Sequence, residues 1–208
     1  MVTRTIEGAE KRQFAGHLRV ERRAEGDEGP ASRKLEGHAA VFDTLSNPLW
    51  GFREKIDPGA FAKTIKEDDI RALFNHNPAA VLGRNTAGTL KLSEDRDGLV
   101  FEIDVAETQV GNDLLESVTR GDITDMSFQF EARKEEWEHA QAEGELDIRT
   151  LVDVRLFDIS PVTFPAYEGT DLTVAKRSME SWRESAEYVP TAETLHLRQR
   201  QAEAESRG

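Results

Sequence analysis

Ile123-Thr-Asp-Met-Ser-Phe-Gln-Phe130 alternates as a β-strand does, with Ser127 on the face opposite Met126 and Phe128. Just upstream, Thr108 to Arg120 puts Val110, Leu114, Leu115 and Val118 on one helical face, and Gly121 stands where a left-handed helix stop is expected. A helix therefore delivers the chain to that strand. Downstream, residues 131–147 carry seven acids against two bases, with Gly144 near the end, and read as a solvated hairpin excursion. Arg149–Phe164 then forms a long β-type run that ends at Pro165-Ala-Tyr167.

Toward the N-terminus, Thr89–Ser93 and Leu99–Val105 read as a hairpin about the turn Asp95-Arg-Asp-Gly98, and Ile70–Phe74 as a further strand. Asp57-Pro-Gly-Ala-Phe-Ala-Lys-Thr-Ile65 reads as a helix start, with Asp57 as N-cap and Pro58 in the first turn, where its missing N–H costs nothing. Gly37–Phe42 is short, small and apolar, suited to a buried strand, and Ser46–Gly51 breaks it as a loop. Strands separated by helices without βαβ regularity predict an α+β fold with a mostly antiparallel sheet or barrel. No internal repeat is found.

The 208 residues suffice for one domain with a sizeable core. Residues 1–34 read as a polar arm or one peripheral strand, with a loop at Gly26–Pro30, residues 35–175 as the ordered domain, and residues 176–208 as a polar tail, helical or disordered. A surface helix docked through Trp182 is the ordered version of that tail. No apolar run approaches the ~20 residues needed to span a bilayer, and the first residues lack a secretory pattern, so the cytoplasm is the expected compartment. With no cysteine, disulfides, thiolate metal sites and a thiol nucleophile are excluded.

The formal charge is −13, and the acidity is central: Lys plus Arg against Asp plus Glu runs 8 to 6 in residues 1–35, 13 to 28 in 36–175 and 6 to 6 in 176–208. Such a domain repels polyanions, which argues against nucleic acid as partner. His17, His38, His76, His139 and His196 show none of the short spacings that zinc sites favour, and Gly83-Arg-Asn-Thr-Ala-Gly88 lacks the Lys-Ser/Thr of a phosphate loop. Neither a metal nor a nucleotide cofactor is expected.

A hydrolytic pair remains. Phe74-Asn-His-Asn-Pro78 places His76 just after an apolar strand among turn formers, where an imidazole can face a cleft. Ser127 sits in an apolar strand, where a hydroxyl needs a partner to offset its desolvation, although a buried serine commonly satisfies that need with backbone alone. His38 reads as a packed or exposed histidine, not a ligand.

Those two motifs do not stand alone. Phe74-Asn-His-Asn-Pro, Val81-Leu-Gly-Arg84, Gly98-Leu, Gly121-Asp-Ile-Thr-Asp-Met-Ser-Phe-Gln-Phe130 and Asp153-Val-Arg-Leu-Phe-Asp-Ile-Ser-Pro-Val-Thr-Phe-Pro-Ala166 resemble, in order and spacing, the HK97-type phage prohead (capsid-maturation) serine protease family. Asp57-Pro-Gly-Ala-Phe61 is a further family-like element. Gln129, where the family commonly has Gly, and the acidic segment 131–147 depart from the pattern at the rim of the substrate cleft. The resemblance covers roughly residues 35 to 175. It implies a herpesvirus-protease-like fold, a barrel of mostly antiparallel strands surrounded by helices.

It also implies roles: Ser127 as nucleophile, His76 as general base, and a carboxylate that orients the imidazole. Asp153 and Asp158 compete for that last place. Five apart on one strand, they point to opposite faces, and analogy with the herpesvirus enzymes, whose orienting residue begins the strand, favours Asp153. The same analogy looks for oxyanion donors near Ser160, Pro161 and Val162. The implied function is limited cleavage of the major capsid protein's scaffolding segment and of the protease's own tails, inside an assembling procapsid in the host cytoplasm. Self-association is a further implied partner relation, and membrane and nucleic acid are not implied. A catalytically silent assembly factor with the same fold is the alternative, and an unrelated β-rich binding module a third reading.

Overall fold

The computed structural model describes residues 9–14, 18–21, 32–49, 51–140, 142, 144–164 and 173–185. Two sheets carry the fold. The larger has the order β1 (Glu10–Phe14), β9 (Asp125–Glu138), β10 (Asp147–Val162), β5 (Arg71–Phe74), β6 (Asn77–Arg84), with β4 (Phe52–Ile56) also paired to β10. The smaller is antiparallel, in the order β2 (Arg19–Val20), β3 (Lys34–Val41), β8 (Gly98–Asp104), β7 (Leu90–Glu94).

The α+β expectation holds, and the closed barrel does not: among the described residues the strands form two open sheets. The reason lies in β10. Its antiparallel partner β9 takes one edge along its length, while β4 and then β5 share the other edge in parallel register. Strands entering side by side on one long strand extend that sheet and leave it unclosed. Breaks in register at Leu151/Asp153, Asp153/Val154 and Leu156/Asp158 bend β10 so that it can serve both partners.

Between the sheets lies one apolar core, in which Leu35, Phe61, Leu99, Phe101, Ile103, Met126, Phe128, Phe130 and Ile159 are essentially fully buried. Burying each such side chain stabilises the fold by roughly 1.5–3 kcal/mol before entropy is counted. The approach of β8 to β3 is close enough that a Cβ at Gly98 would stand 2.0 Å from the Ala40 carbonyl oxygen.

The helix of residues 109–120 forms as its sequence predicts. In α2 (Gln109–Arg120), Thr108 Oγ1 accepts the Gly111 N–H at 3.1 Å, Gly121 takes φ 83°, and Leu114 and Val118 face the core. The reading of Asp57–Ile65 is corrected: successive turns precede a four-residue α1 (Thr64–Glu67), and no side chain caps it. Asp57 acts through its backbone, its N–H donating to the Leu151 carbonyl.

The acidic excursion is more ordered than its charge predicts. β9 runs on to Glu138 and β10 begins at Asp147, so the first half of residues 131–147 is strand, laddered against β10 from Ile148 onward. Its tip is held by α3 (Thr173–Glu184): Ala175 and Met179 pack on Phe52, Trp182 stacks on Trp137 at 5.4 Å, and Arg183 pairs with Asp147 at 2.6 Å. The tail thus contributes a docked helix through Glu184, while residues 186–208, the Gly26–Pro30 loop and Pro165–Tyr167 lie outside the described residues. The arm contributes two short strands, β1 and β2, where its sequence suggests an arm or one peripheral strand, and β4 follows the Ser46–Gly51 loop without a local signal of its own.

Candidate active site

His76 occupies the turn between β5 and β6. Phe74 pairs with Asn77, leaving Asn75 and His76 as a two-residue hairpin loop with φ 52° and 53°. Left-handed backbone at both central residues is what a type I′ turn requires, and Asn suits the first position. Histidine at the second is less common than glycine there, though better tolerated than most side chains. The loop is fastened to the end of β10: the Asn75 N–H donates to the Pro161 carbonyl at 3.0 Å, Asn75 Nδ2 donates to Thr163 Oγ1 at 3.0 Å, and the Thr163 N–H donates to Asn75 Oδ1 at 2.9 Å.

Ser127 enters from β9. In the hairpin register it lies directly opposite Ser160 on β10, and Asp158 lies opposite Gln129. Directly opposed residues share a face of the sheet, as do residues two apart, so Ser127, Ser160 and Asp158 fall on one face, below the His76 turn.

There the side chains form a hydrogen-bonded chain. His76 Nε2 lies 2.6 Å from Ser127 Oγ, and His76 Nδ1 lies 2.6 Å from Asp158 Oδ1. A carboxylate accepts only, so the neutral imidazole carries its proton on Nδ1 and offers the Nε2 lone pair to the serine hydroxyl. The carboxylate oxygen also accepts from Ser160 Oγ at 2.9 Å, and Ser160 Oγ in turn accepts the His76 N–H at 3.1 Å. Asp158 is 4% exposed and Ser160 fully buried, so these bonds stand in for water around a desolvated charge.

The structure brings Asp158 to His76, and not Asp153, which the analogy favours. β10 begins at Asp147, so Asp153 lies in mid-strand and not at its start. Five residues of extended chain separate the two carboxylates, about 17 Å, far outside hydrogen-bond reach of one imidazole. Asp153 pairs across the ladder with Lys134 at a bulge, and its Oδ1 is buried without a hydrogen-bond partner. The Ser160 side chain is a member of the site that no local signal marks: counting back from Glu138 opposite Ile148 would set Ile159 opposite Ser127, and only the bulges in β10 shift the ladder by the one residue that brings Ser160 there. Ser160–Val162, the segment expected to flank an oxyanion site, runs opposite Asp125–Ser127. His38, on β3 of the smaller sheet, lies elsewhere, 3.0 Å from Asp95 in the turn between β7 and β8.

A second polar cluster lies beside this site. Arg12 of β1 makes a two-pronged pair with Glu54 of β4, at 2.6 and 2.9 Å, and reaches Glu10 at 2.6 Å. Arg149 of β10 holds both oxygens of Glu10, at 2.8 and 2.9 Å, and Glu54 at 2.8 Å, and also contacts Glu135 of β9. Burial alone would raise the Glu10 carboxyl, but the Arg149 and Arg12 guanidinium groups outweigh it and hold the acid below its ordinary range.

No curated protein and no solved structure is a match for this chain. A family model described as caudovirus prohead serine protease matches residues 19–185, a span that holds His76, Ser127, Asp158 and Ser160. The chain belongs to the caudovirus prohead serine protease family.

Proposed function

We propose that this chain is an active serine endopeptidase in which Ser127 attacks, His76 serves as general base and then general acid, and Asp158 holds and stabilises the imidazole. The observation that carries the reading is the continuous Ser127–His76–Asp158 chain, with 2.6 Å at each link. A serine hydroxyl is a weak nucleophile at neutral pH. Its proton passes to Nε2 as Oγ attacks the scissile carbonyl; the resulting imidazolium is stabilised by the Asp158 carboxylate, and Nε2 then protonates the departing amine. A water molecule repeats the sequence to release the acyl group, regenerating the hydroxyl. Ser160 positions the carboxylate from behind.

The substrates that fit family membership are the major capsid protein's scaffolding segment and the protease's own tails, cleaved inside the procapsid in the host cytoplasm. Co-expression with the capsid protein, followed by mass measurement of the fragments, tests the reading. Wild-type chain is expected to shorten the capsid protein, and Ser127→Ala to leave it whole while melting at the same temperature. Equal fragments from both would remove Ser127 from the mechanism and leave the silent assembly factor as the better description.

A further inference from the structure

The nucleophile is shut in. Ser127 is 2% exposed, so no polypeptide from outside can bring a carbonyl to its Oγ while the molecule stands as it does. What covers it is β1. This strand lies antiparallel along the free edge of β9, with Gln13 opposite Ser127 and Arg12 opposite Phe128, and the Arg12 carbonyl oxygen lies 3.0 Å from Ser127 Oγ.

A substrate backbone adding to β9 as an extended strand would need this same edge, because β10 holds the other one. β1 therefore has the direction, the register and the carbonyl position of a bound peptide. Its carbonyl oxygen stands beside the nucleophile as a second acceptor for the one hydroxyl proton that His76 Nε2 also takes, which is the posture of an occupant and not of a peptide under attack, whose oxygen must turn toward other donors. Residues 10 and 12 project to one face, where Arg12 meets Glu54 and Glu10 meets Arg149, with Phe130 under the Arg12 guanidinium at 5.5 Å. Glu54 and Arg149 also bind each other at 2.8 Å, so both receiving groups stay paired when the strand leaves.

Resting on the protease reading above, we propose that the β9 edge is the substrate-binding groove, that β1 is its resident occupant, and that Glu54 and Arg149 select the peptide. The groove takes an extended segment with arginine at the residue whose carbonyl meets Ser127 and a carboxylate two residues before it. Capsid segments of that pattern bind only after β1 has left.

Binding is measured on full-length Ser127→Ala chains with a fluorescent peptide of this protein's own residues 7–16, Glu7-Gly-Ala-Glu-Lys-Arg-Gln-Phe-Ala-Gly16. In Glu10→Gln/Arg12→Gln protein the strand is unlatched, and the peptide is expected to bind at least about tenfold more tightly than to Ser127→Ala alone. The same peptide with glutamine for its arginine should lose about tenfold or more. Because the chain has no cysteine, Lys11→Cys/Gln129→Cys, opposed in the ladder, can lock β1 down by a disulfide; oxidation should abolish binding and reduction restore it. Should the unlatched protein fail to fold, the oxidised and reduced forms decide the matter. Equal binding in the two forms, indifference to the peptide's arginine, or no binding in any state overturns the proposal. Since the assay uses a chain without the nucleophile, failure of wild-type protein to cleave capsid protein would sink the protease reading without altering this result.

Discussion

Asp158→Asn separates the role of this carboxylate from that of every other acid on β10. The substitution is nearly isosteric, and an amide oxygen in place of Oδ1 can still accept from both His76 Nδ1 and Ser160 Oγ, so the fold and the imidazole orientation are expected to survive. What disappears is the negative charge that, in the proposed mechanism, faces the imidazolium formed as Ser127 attacks. At 2.6 Å and an effective dielectric constant of about 20, that pair is worth roughly 6 kcal/mol before desolvation. With about half of it offset by the cost of burying the carboxylate, about 3 kcal/mol of transition-state stabilisation is lost, or about 10²-fold in rate. Asp153→Asn, with no contact to His76, should stay within about twofold of wild type. Initial rates on a fluorogenic peptide, alongside circular dichroism to verify the fold, give both numbers. Retention of more than about a tenth of the activity by Asp158→Asn, or an equal loss in Asp153→Asn, would refute the assignment.

Three further outcomes follow from the local structure. Asn75→Ala should lower stability by about 2 kcal/mol, from left-handed strain and two lost bonds to Thr163, whereas Asn75→Gly should lose only the bonds and melt higher than the alanine variant; reversed melting temperatures would mean that strain is not what that turn manages. Gly98→Ala forces a methyl against the Ala40 carbonyl and should cost about 3 kcal/mol or more, read from the urea midpoint, with an unchanged midpoint counting against so close an approach of β3 and β8. Glu10, faced by Arg12 on its own strand, Arg149 on β10, Glu54 on β4 and Glu135 on β9, has a folded-state pKa below its unfolded value, so its contribution to docking β1 is complete above about pH 4.3 and fades as pH falls through the folded value. Amide protection in residues 10–14 should therefore decline below pH 4 more steeply than in β8, and Glu10→Gln should flatten that dependence; parallel losses in both strands would contradict it.

Much of this site was legible in the chain itself. Alternation around Ser127, the helix ending at Gly121 and the turn formers around His76 are local signals, set by backbone geometry and by which side chains tolerate it, and each lies where the sequence puts it. The choice between Asp153 and Asp158 was not local. It depends on where β10 begins and on which residue of it faces Ser127, and both follow from pairing with β9 along a ladder whose length the acidic composition of residues 131–147 obscured. Barrel closure depended likewise on β4 and β5 sharing one edge of β10, a competition between distant segments for the same hydrogen-bonding groups. Strand β1 was the least legible element, because a short polar segment has no periodicity strong enough to declare itself. Its place on β9 is fixed by ion pairs from Glu10 and Arg12 to Glu54 and Arg149, residues far apart in sequence. The sequence by itself determined which residue types could perform the chemistry; tertiary structure decided which carboxylate meets the imidazole and what covers the serine, since charge pairing and strand addition act between segments that only folding makes neighbours.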